Sequence, residues 1–256
     1  MRRHVLLAIL LAAVAAGCAP QAERGVLYQA SAVNALVEGL YDGHTTLAHL
    51  LKRGDLGIGT LDALDGELIL LDGRAYQVRA DGKVYRPGPD ATTPFATVTF
   101  FSPGTTIDID GPLDFVQLQS LLDKTLPSKN FPLAVRITGR FKYVKTRSLP
   151  RQAKPYPRLV EVTRRQPTFE FHDVRGTLVG FRCPDYMTGL NIPGHHLHFL
   201  TADGAGGGHV LELEIEAVRA EAGYVPEVRV ALPREGEFGK ANIGGNKSAD
   251  IERAEK

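Results

Sequence analysis

Between positions 56 and 85 the chain breaks short apolar runs three times with the same dipeptide, at Asp65-Gly66, Asp72-Gly73 and Asp81-Gly82. Both central positions of a tight primed turn take a positive φ, which Asp and Gly adopt with little strain. A chain punctuated in this way must double back on itself, so this stretch is expected to be an antiparallel meander. Twenty-seven glycines and 16 prolines extend that expectation to a sheet-rich protein with short connections.

Other elements arrange themselves around the meander. Ser31 is placed to cap a helix with Val33, Leu36, Val37 and Leu40 on one face, and Thr45 to cap a second helix over 47–51 that Gly54 stops. Residues 95–101 supply a further strand, and Pro112 is suited to open a helix with an apolar stripe of Phe115, Val116, Leu118, Leu121 and Leu122. From 135 to 147 the residues alternate, Val135, Ile137, Phe141 and Tyr143 on one parity and Arg136, Arg140 and Lys142 on the other. Pro150, Lys154, Pro155, Tyr156 and Pro157 then make a connection rich in proline. It is the expected boundary between an N-terminal lobe at 26–150 and a C-terminal lobe at 151–256. The second lobe should carry strands near 159–163, 176–181, 196–200, 209–215 and 228–232. The apolar period fades over 236–246, and 248–256 reads as a frayed terminal helix.

Thirty Lys plus Arg against 29 Asp plus Glu leave a net charge of +1, so no single-sign field is available to attract nucleic acid. The chain opens with Met1-Arg2-Arg3-His4, an apolar run over 5–14 too short to span a bilayer, and Ala15-Ala16-Gly17-Cys18. This is the layout of a signal peptide over 1–18, with a tether at 19–25. The four residues ending at Cys18 resemble a bacterial lipobox, which implies a lipid anchor there; ordinary cleavage nearby is the alternative. Either way the chain is expected to be exported, to the periplasm or the cell surface. Without Cys18 only Cys183 remains, so no intramolecular disulfide can form and stability rests on packing. The apolar surroundings of Cys183 mark a buried structural thiol rather than a nucleophile.

Five of the eight histidines lie between His172 and His209. His196 and His198 are two apart, so on a strand their rings project from the same face. The glycine-rich stretch 201–208 reads as a hairpin loop; centred between Asp203 and Gly204, it sets His198 opposite His209, and directly paired residues share a face. Three imidazoles then converge. Three neutral nitrogens on rigid strands leave coordination positions open, as in catalytic zinc sites, although the ligand set also admits iron or manganese. His195 has the wrong parity to join them. By itself Glu67 reads as a solvent-facing strand end just past a turn. Arg147 is open to two readings: inward parity would bury its guanidinium opposite an anion, unless a bulge intervenes, and an earlier strand end would leave it solvated.

The segment Gly57-Ile58-Gly59-Thr60-Leu61-Asp62-Ala63-Leu64-Asp65-Gly66-Glu67-Leu68, with Asp72-Gly73 and Tyr76-Gln77 after it, resembles the bacterial alpha-acetolactate decarboxylase family. So does Gly194-His195-His196-Leu197-His198-Phe199, followed by Gly207-Gly208-His209-Val210-Leu211. The resemblance implies a two-lobed α/β (α+β) fold of mixed and antiparallel sheets with packed helices, a homodimer, and Zn2+ between the lobes. Carried over by position, it implies metal ligands at His196, His198 and His209, glutamates near or on the metal at Glu67 and Glu255, and an active-site arginine at Arg147. Thr60 matches a threonine that lines the substrate pocket. The implied reaction converts 2-acetolactate to acetoin and carbon dioxide, with the 3-carbonyl as electron sink and a Lewis acid stabilising the enediolate. Two rivals are a cupin-like oxygenase, for which only Asp203 could supply the expected extra carboxylate, and a zinc-binding lipoprotein without catalysis, which would have no use for Arg147.

Overall fold

The structure is a computed structural model describing residues 23–255. The leader with Cys18, and Lys256, lie outside the described residues; of the expected tether only 23–25 is described, and Arg24 already bridges Phe100. In chain order, β1 (Val26–Ala30), α1 (Val33–Val37), β2 (Thr45–Thr46) and α2 (Leu47–Leu51) lead into β3 (Leu56–Thr60). The meander follows as β4 (Glu67–Leu71), β5 (Arg74–Val78) and β6 (Val84–Tyr85), then β7 (Thr92–Thr93) and β8 (Ala96–Thr99). After β9 (Thr105–Asp114), α3 (Phe115–Thr125) and β10 (Leu133–Arg147) come α4 (Leu159–Thr163), β11 (Thr168–Cys183), β12 (Gly194–Thr201), β13 (Gly207–Tyr224), β14 (Glu227–Ala231) and α5 (Ser248–Glu255).

Among the described residues, one sheet has the order β14-β1-β8-β3-β4-β5-β6, antiparallel except for the parallel β1–β14 pair. A second, β10-β11-β12-β13-β9, is antiparallel, and an extra pairing of β10 with β13 closes four strands on themselves; β2 and β7 form a separate two-stranded antiparallel sheet. The fold is therefore mixed α+β with mostly antiparallel sheets and few helices. The proline-rich connection at 150–157 does not divide the sheets: β9 and β10 precede it yet belong to the second, and β14 follows it yet pairs with β1.

The second sheet buries its inner face and part of its outer face. Its inner face, with Val135, Ile137, Phe141, Leu178, Leu197 and Phe199, packs on Leu118 and Leu122 of α3. Its outer face, with Ala134, Val179, Phe181 and Leu200, packs on Leu56, Ile58, Ile69 and Val78 of the first sheet. Where both faces are covered, in β12 and the last residues of β11, the strands read as near-continuous apolar runs, whereas β10 and β13 keep alternation over much of their length.

Several sequence expectations change. The meander is present, but only Asp72-Gly73 has both residues at positive φ; at the other two pairs the glycine alone is there. Residues 159–163 are helical, not a strand: Leu159 and Val162, three apart, bury one face, and the β-branched residues that suggested a strand yield to that packing. Pro112 lies in β9 rather than opening α3. An edge strand tolerates a missing donor there, and the register shift opposite Ile215 and Ala217 absorbs it. The helix starts instead at a capping box in which Asp114 accepts from the Gln117 N–H at 2.8 Å and Gln117 accepts from the Asp114 N–H at 2.9 Å. Thr46, not Thr45, caps α2, and α1 starts at Ala32 without a side-chain cap and stops before Leu40. The terminal helix is docked rather than frayed, with Ile251 and Ala254 buried. Cys183 is buried in the inter-sheet core, as expected, and burial pushes its thiol up to about 12.

Asp123 on α3 locks this helix to the sheet. It accepts from Arg182 of β11 at 2.9 Å, lies 3.1 Å from His195 Nε2 of β12, and pairs with Lys129. Burial alone would raise its carboxyl, but Lys129, Arg182 and His195 outweigh that and hold it at about 2. A carboxyl depressed on folding stabilises above its unfolded value and loses that contribution as pH falls through the folded one. Asp123→Asn is expected to lose about 2 kcal/mol near pH 7. Denaturant titrations of both proteins should show the gap closing as pH drops from about 4 to about 2; a gap unchanged at pH 2 would contradict this linkage.

Candidate metal centre

At the rim of the inter-sheet core the apolar contacts give way to a cluster of charged and polar groups. Leu197 and Phe199 face the inner core of the second sheet, so His196 and His198, of the opposite parity, face the first sheet. His198 pairs with His209 across β12 and β13, and His209 pairs with Arg147 across β13 and β10, which sets the three in one row. The hairpin that fixes this register turns at Asp203, whose carboxylate accepts from Thr201 at 2.6 Å and from the Ala205 N–H at 3.0 Å. Held in that turn, Asp203 cannot serve as the extra carboxylate of a cupin-like site.

Arg147 reaches the row because β10 is irregular. Its pairing with β13 shifts register on either side of Phe141, and after the shift Val144 takes the inner side while Tyr143 turns out against His172. The irregularity reverses the parity of the following residues, so Arg147 faces the first sheet instead of the apolar inner core. It is 4 % exposed, which excludes the solvated reading. From the first sheet, Glu67 shares the face of Ile69 and meets Arg147 Nη1 at 2.7 Å. Glu67 is likewise 4 % exposed, so its position just past a turn does not leave it in solvent. Arg147 Nη2 donates to the Ala254 carbonyl at 3.1 Å and lies 3.9 Å from Glu255 Oε1.

The terminal helix adds the remaining carboxylate. Glu255 Oε2 is 3.7 Å from His196 Nε2 and 3.8 Å from His209 Nε2, and Glu67 Oε2 is 3.5 Å from His198 Nε2. Thr60 is close by in the chain but engaged: its hydroxyl donates to the Gly66 carbonyl at 2.7 Å and braces the loop that presents Glu67. That loop holds Ala63 and Leu64 at positive φ, backbone strain at a polar site. Two partners carry no side-chain signal in the sequence, the carbonyl of Leu68, 3.0 Å from His198 Nδ1, and the carbonyl of Ala254.

The donor set suits a divalent cation. The ligand atoms of His196, His198 and His209 lie within 4.8 Å of one another, and the Nε2 atoms of His196 and His198 are 3.2 Å apart. Two nitrogens on one tetrahedral zinc ion keep roughly 3.3 Å between them. The Leu68 carbonyl holds the His198 proton on Nδ1 and leaves the Nε2 lone pair facing its neighbours. Burial, with Arg147 nearby, drives the His196 imidazole down to about 3 and those of His198 and His209 well below their ordinary value. All three are therefore neutral near pH 7, the form that ligates metal. Burial pushes the Glu67 and Glu255 carboxyls up to about 7, against the pull of Arg147. His195, on the opposite face, is committed to Asp123.

The sequence model of the alpha-acetolactate decarboxylase family matches residues 27–245. The alpha-acetolactate decarboxylase of Methanosarcina mazei is 46% identical over 231 residues, 90% of this chain and 80% of that protein. The one from Methylococcus capsulatus is 45% identical over 90% of this chain and 88% of its own. The crystal structure of alpha-acetolactate decarboxylase from Bacillus subtilis superposes with a TM-score of 0.88 at 38% identity, covering 90% of this chain and 99% of that one. With sequence and fold in agreement over nearly all the described residues, the chain belongs to the alpha-acetolactate decarboxylase family.

Proposed function

We propose that this protein decarboxylates 2-acetolactate to acetoin and carbon dioxide, with Zn2+ held by His196, His198 and His209. The observation that carries this reading is the convergence of three neutral imidazoles, two carboxyls and one buried guanidinium at the rim between the sheets. When bound, zinc supplies Lewis-acid polarisation of the substrate's ketone, the sink for electrons left by carbon dioxide. The chain's own residues do the rest. Arg147 is the cation placed to meet the substrate carboxylate, and Glu67 and the Ala254 carbonyl hold its fork in plane. Burial raises the Glu67 and Glu255 carboxyls to about 7, which suits either one to give a proton to the carbon that loses carbon dioxide. Thr60, through Gly66, keeps Glu67 in position. The engagement of Arg147 with both carboxyls favours this reading over a zinc carrier, which would not need it.

Two further proposals concern the whole molecule. The leader residues support export with a lipid anchor at Cys18. A homodimer is supported by the outer edge strand β14, where Val228 and the adjoining Leu232 are 36% and 53% exposed.

Purified protein is expected to form acetoin from 2-acetolactate in a colorimetric assay and to stop after chelation. Arg147→Lys should retain zinc but lose about a hundredfold in turnover, because a point charge cannot replace the planar fork; full turnover would remove Arg147 from the mechanism. Protons on Glu67 and Glu255 compete with the cation, so zinc affinity should fall about tenfold or more per unit as pH drops below about 7. Competition titrations giving one affinity from pH 8 to pH 5.5 would show that the two carboxyls do not face the metal.

A further inference from the structure

Glu255 reaches the site on α5, an eight-residue helix that follows an irregular segment. A helix so short does not hold itself together in water, so its shape and its aim depend on what it docks against. Its apolar contacts are Ile251 and Ala254, which pack in one cluster with Val33, Leu36 and Val37 of α1 and with Leu159 and Val162 of α4. At its N-terminal end, Arg158 ties it to α1. Arg158 Nη2 donates to Asp250 Oδ2 at 2.9 Å and to Glu38 Oε1 at 2.7 Å, and Lys247 Nζ donates to the same Glu38 oxygen at 2.6 Å.

The position of Arg158 is otherwise an unfavourable one. It stands at the N-cap of α4, makes no capping bond, and brings positive charge to the end of a helix that favours negative charge. A Ser or Asp there would serve α4 better. The guanidinium instead spans the gap between α1 and α5, with a buried Nε that has no partner among the described residues. Asp250 and Glu255 are five positions apart, about 7.5 Å of helical rise. A clamp at one end therefore sets the carboxylate at the other, where Arg147 holds the Ala254 carbonyl.

We propose that Arg158 is a positioning residue for Glu255: through Asp250 it seats the C-terminal helix on the α1–α4 platform and so completes the metal centre. The inference rests on the reading of Glu255 as a metal-facing carboxylate. Both Arg158 and Asp250 are partly exposed, so their substitution leaves the core intact.

The test compares Arg158→Gln, Asp250→Asn, Glu255→Gln and the Arg158→Gln/Glu255→Gln double variant with the wild type. Zinc affinity by chelator competition and amide exchange across 248–255 are the readouts, with acetoin formation in parallel. Arg158→Gln and Asp250→Asn should each weaken zinc binding about five- to tenfold and speed exchange in α5, as expected for losing one or two partly exposed ion pairs. On the Glu255→Gln background, Arg158→Gln should change zinc affinity by less than about twofold, because the group it positions is gone. Wild-type affinity in Arg158→Gln, or an undiminished drop on that background, would overturn the proposal. Wild-type protein that binds zinc but forms no acetoin would defeat the decarboxylase reading and leave the clamp to be judged by affinity and exchange. Protein that binds no zinc would defeat both.

Discussion

The buried ion pair between Arg147 and Glu67 is the constraint on which the rest of the site depends. Two charges removed from water are costly unless each finds partners, and leaving either one alone is far worse. The fold meets this by taking the arginine from one sheet and the glutamate from the other, then adding the Ala254 carbonyl and Glu255 from the terminal helix. The pair is possible at all because β10 changes register near Phe141, turning Arg147 away from the apolar inner core. An uninterrupted strand would have driven a guanidinium into Val135, Ile137 and Phe141.

Around that pair burial favours the neutral form of each titratable group. The imidazoles are held neutral, the carboxyls are poised near 7, and Arg147 is the one buried cation beside them. Such a site presents lone pairs and a single positive charge to an anionic keto acid. Net decarboxylation consumes a proton, and carboxyls near 7 are suited to hold one. The strained Ala63 and Leu64 in the loop before Glu67 place backbone distortion beside the chemistry, where rigid presentation of a carboxylate matters most.

Much of this was legible before the structure. Period-two spacing placed His196 and His198 on one face, and the hairpin centre set His198 opposite His209, the register observed. The Asp-Gly pairs located the meander. Local pattern failed where long-range packing decides: Val162 and Thr163 read as strand but fold as helix against the tail, and Pro112 reads as a helix start but fits a bulged edge. That Arg147 faces the first sheet and Glu67, rather than the apolar inner core, hung on a bulge that no residue type announces. The docking of α5 was hidden for a related reason, since Ile251 and Ala254 form too small an apolar face to betray a partner more than eighty residues upstream in sequence. For Glu67 the local pattern pointed to solvent, and only the family resemblance drew attention to it.

The central claim is that one zinc ion, held by imidazoles from paired strands, is what makes the protein a decarboxylase. Metal-stripped protein titrated with zinc, while acetoin production is followed, tests it most directly. Activity should rise linearly and level off at one equivalent per chain. Undiminished activity before any zinc is added, or a wild-type titration curve from protein carrying His198→Ala, would contradict the account.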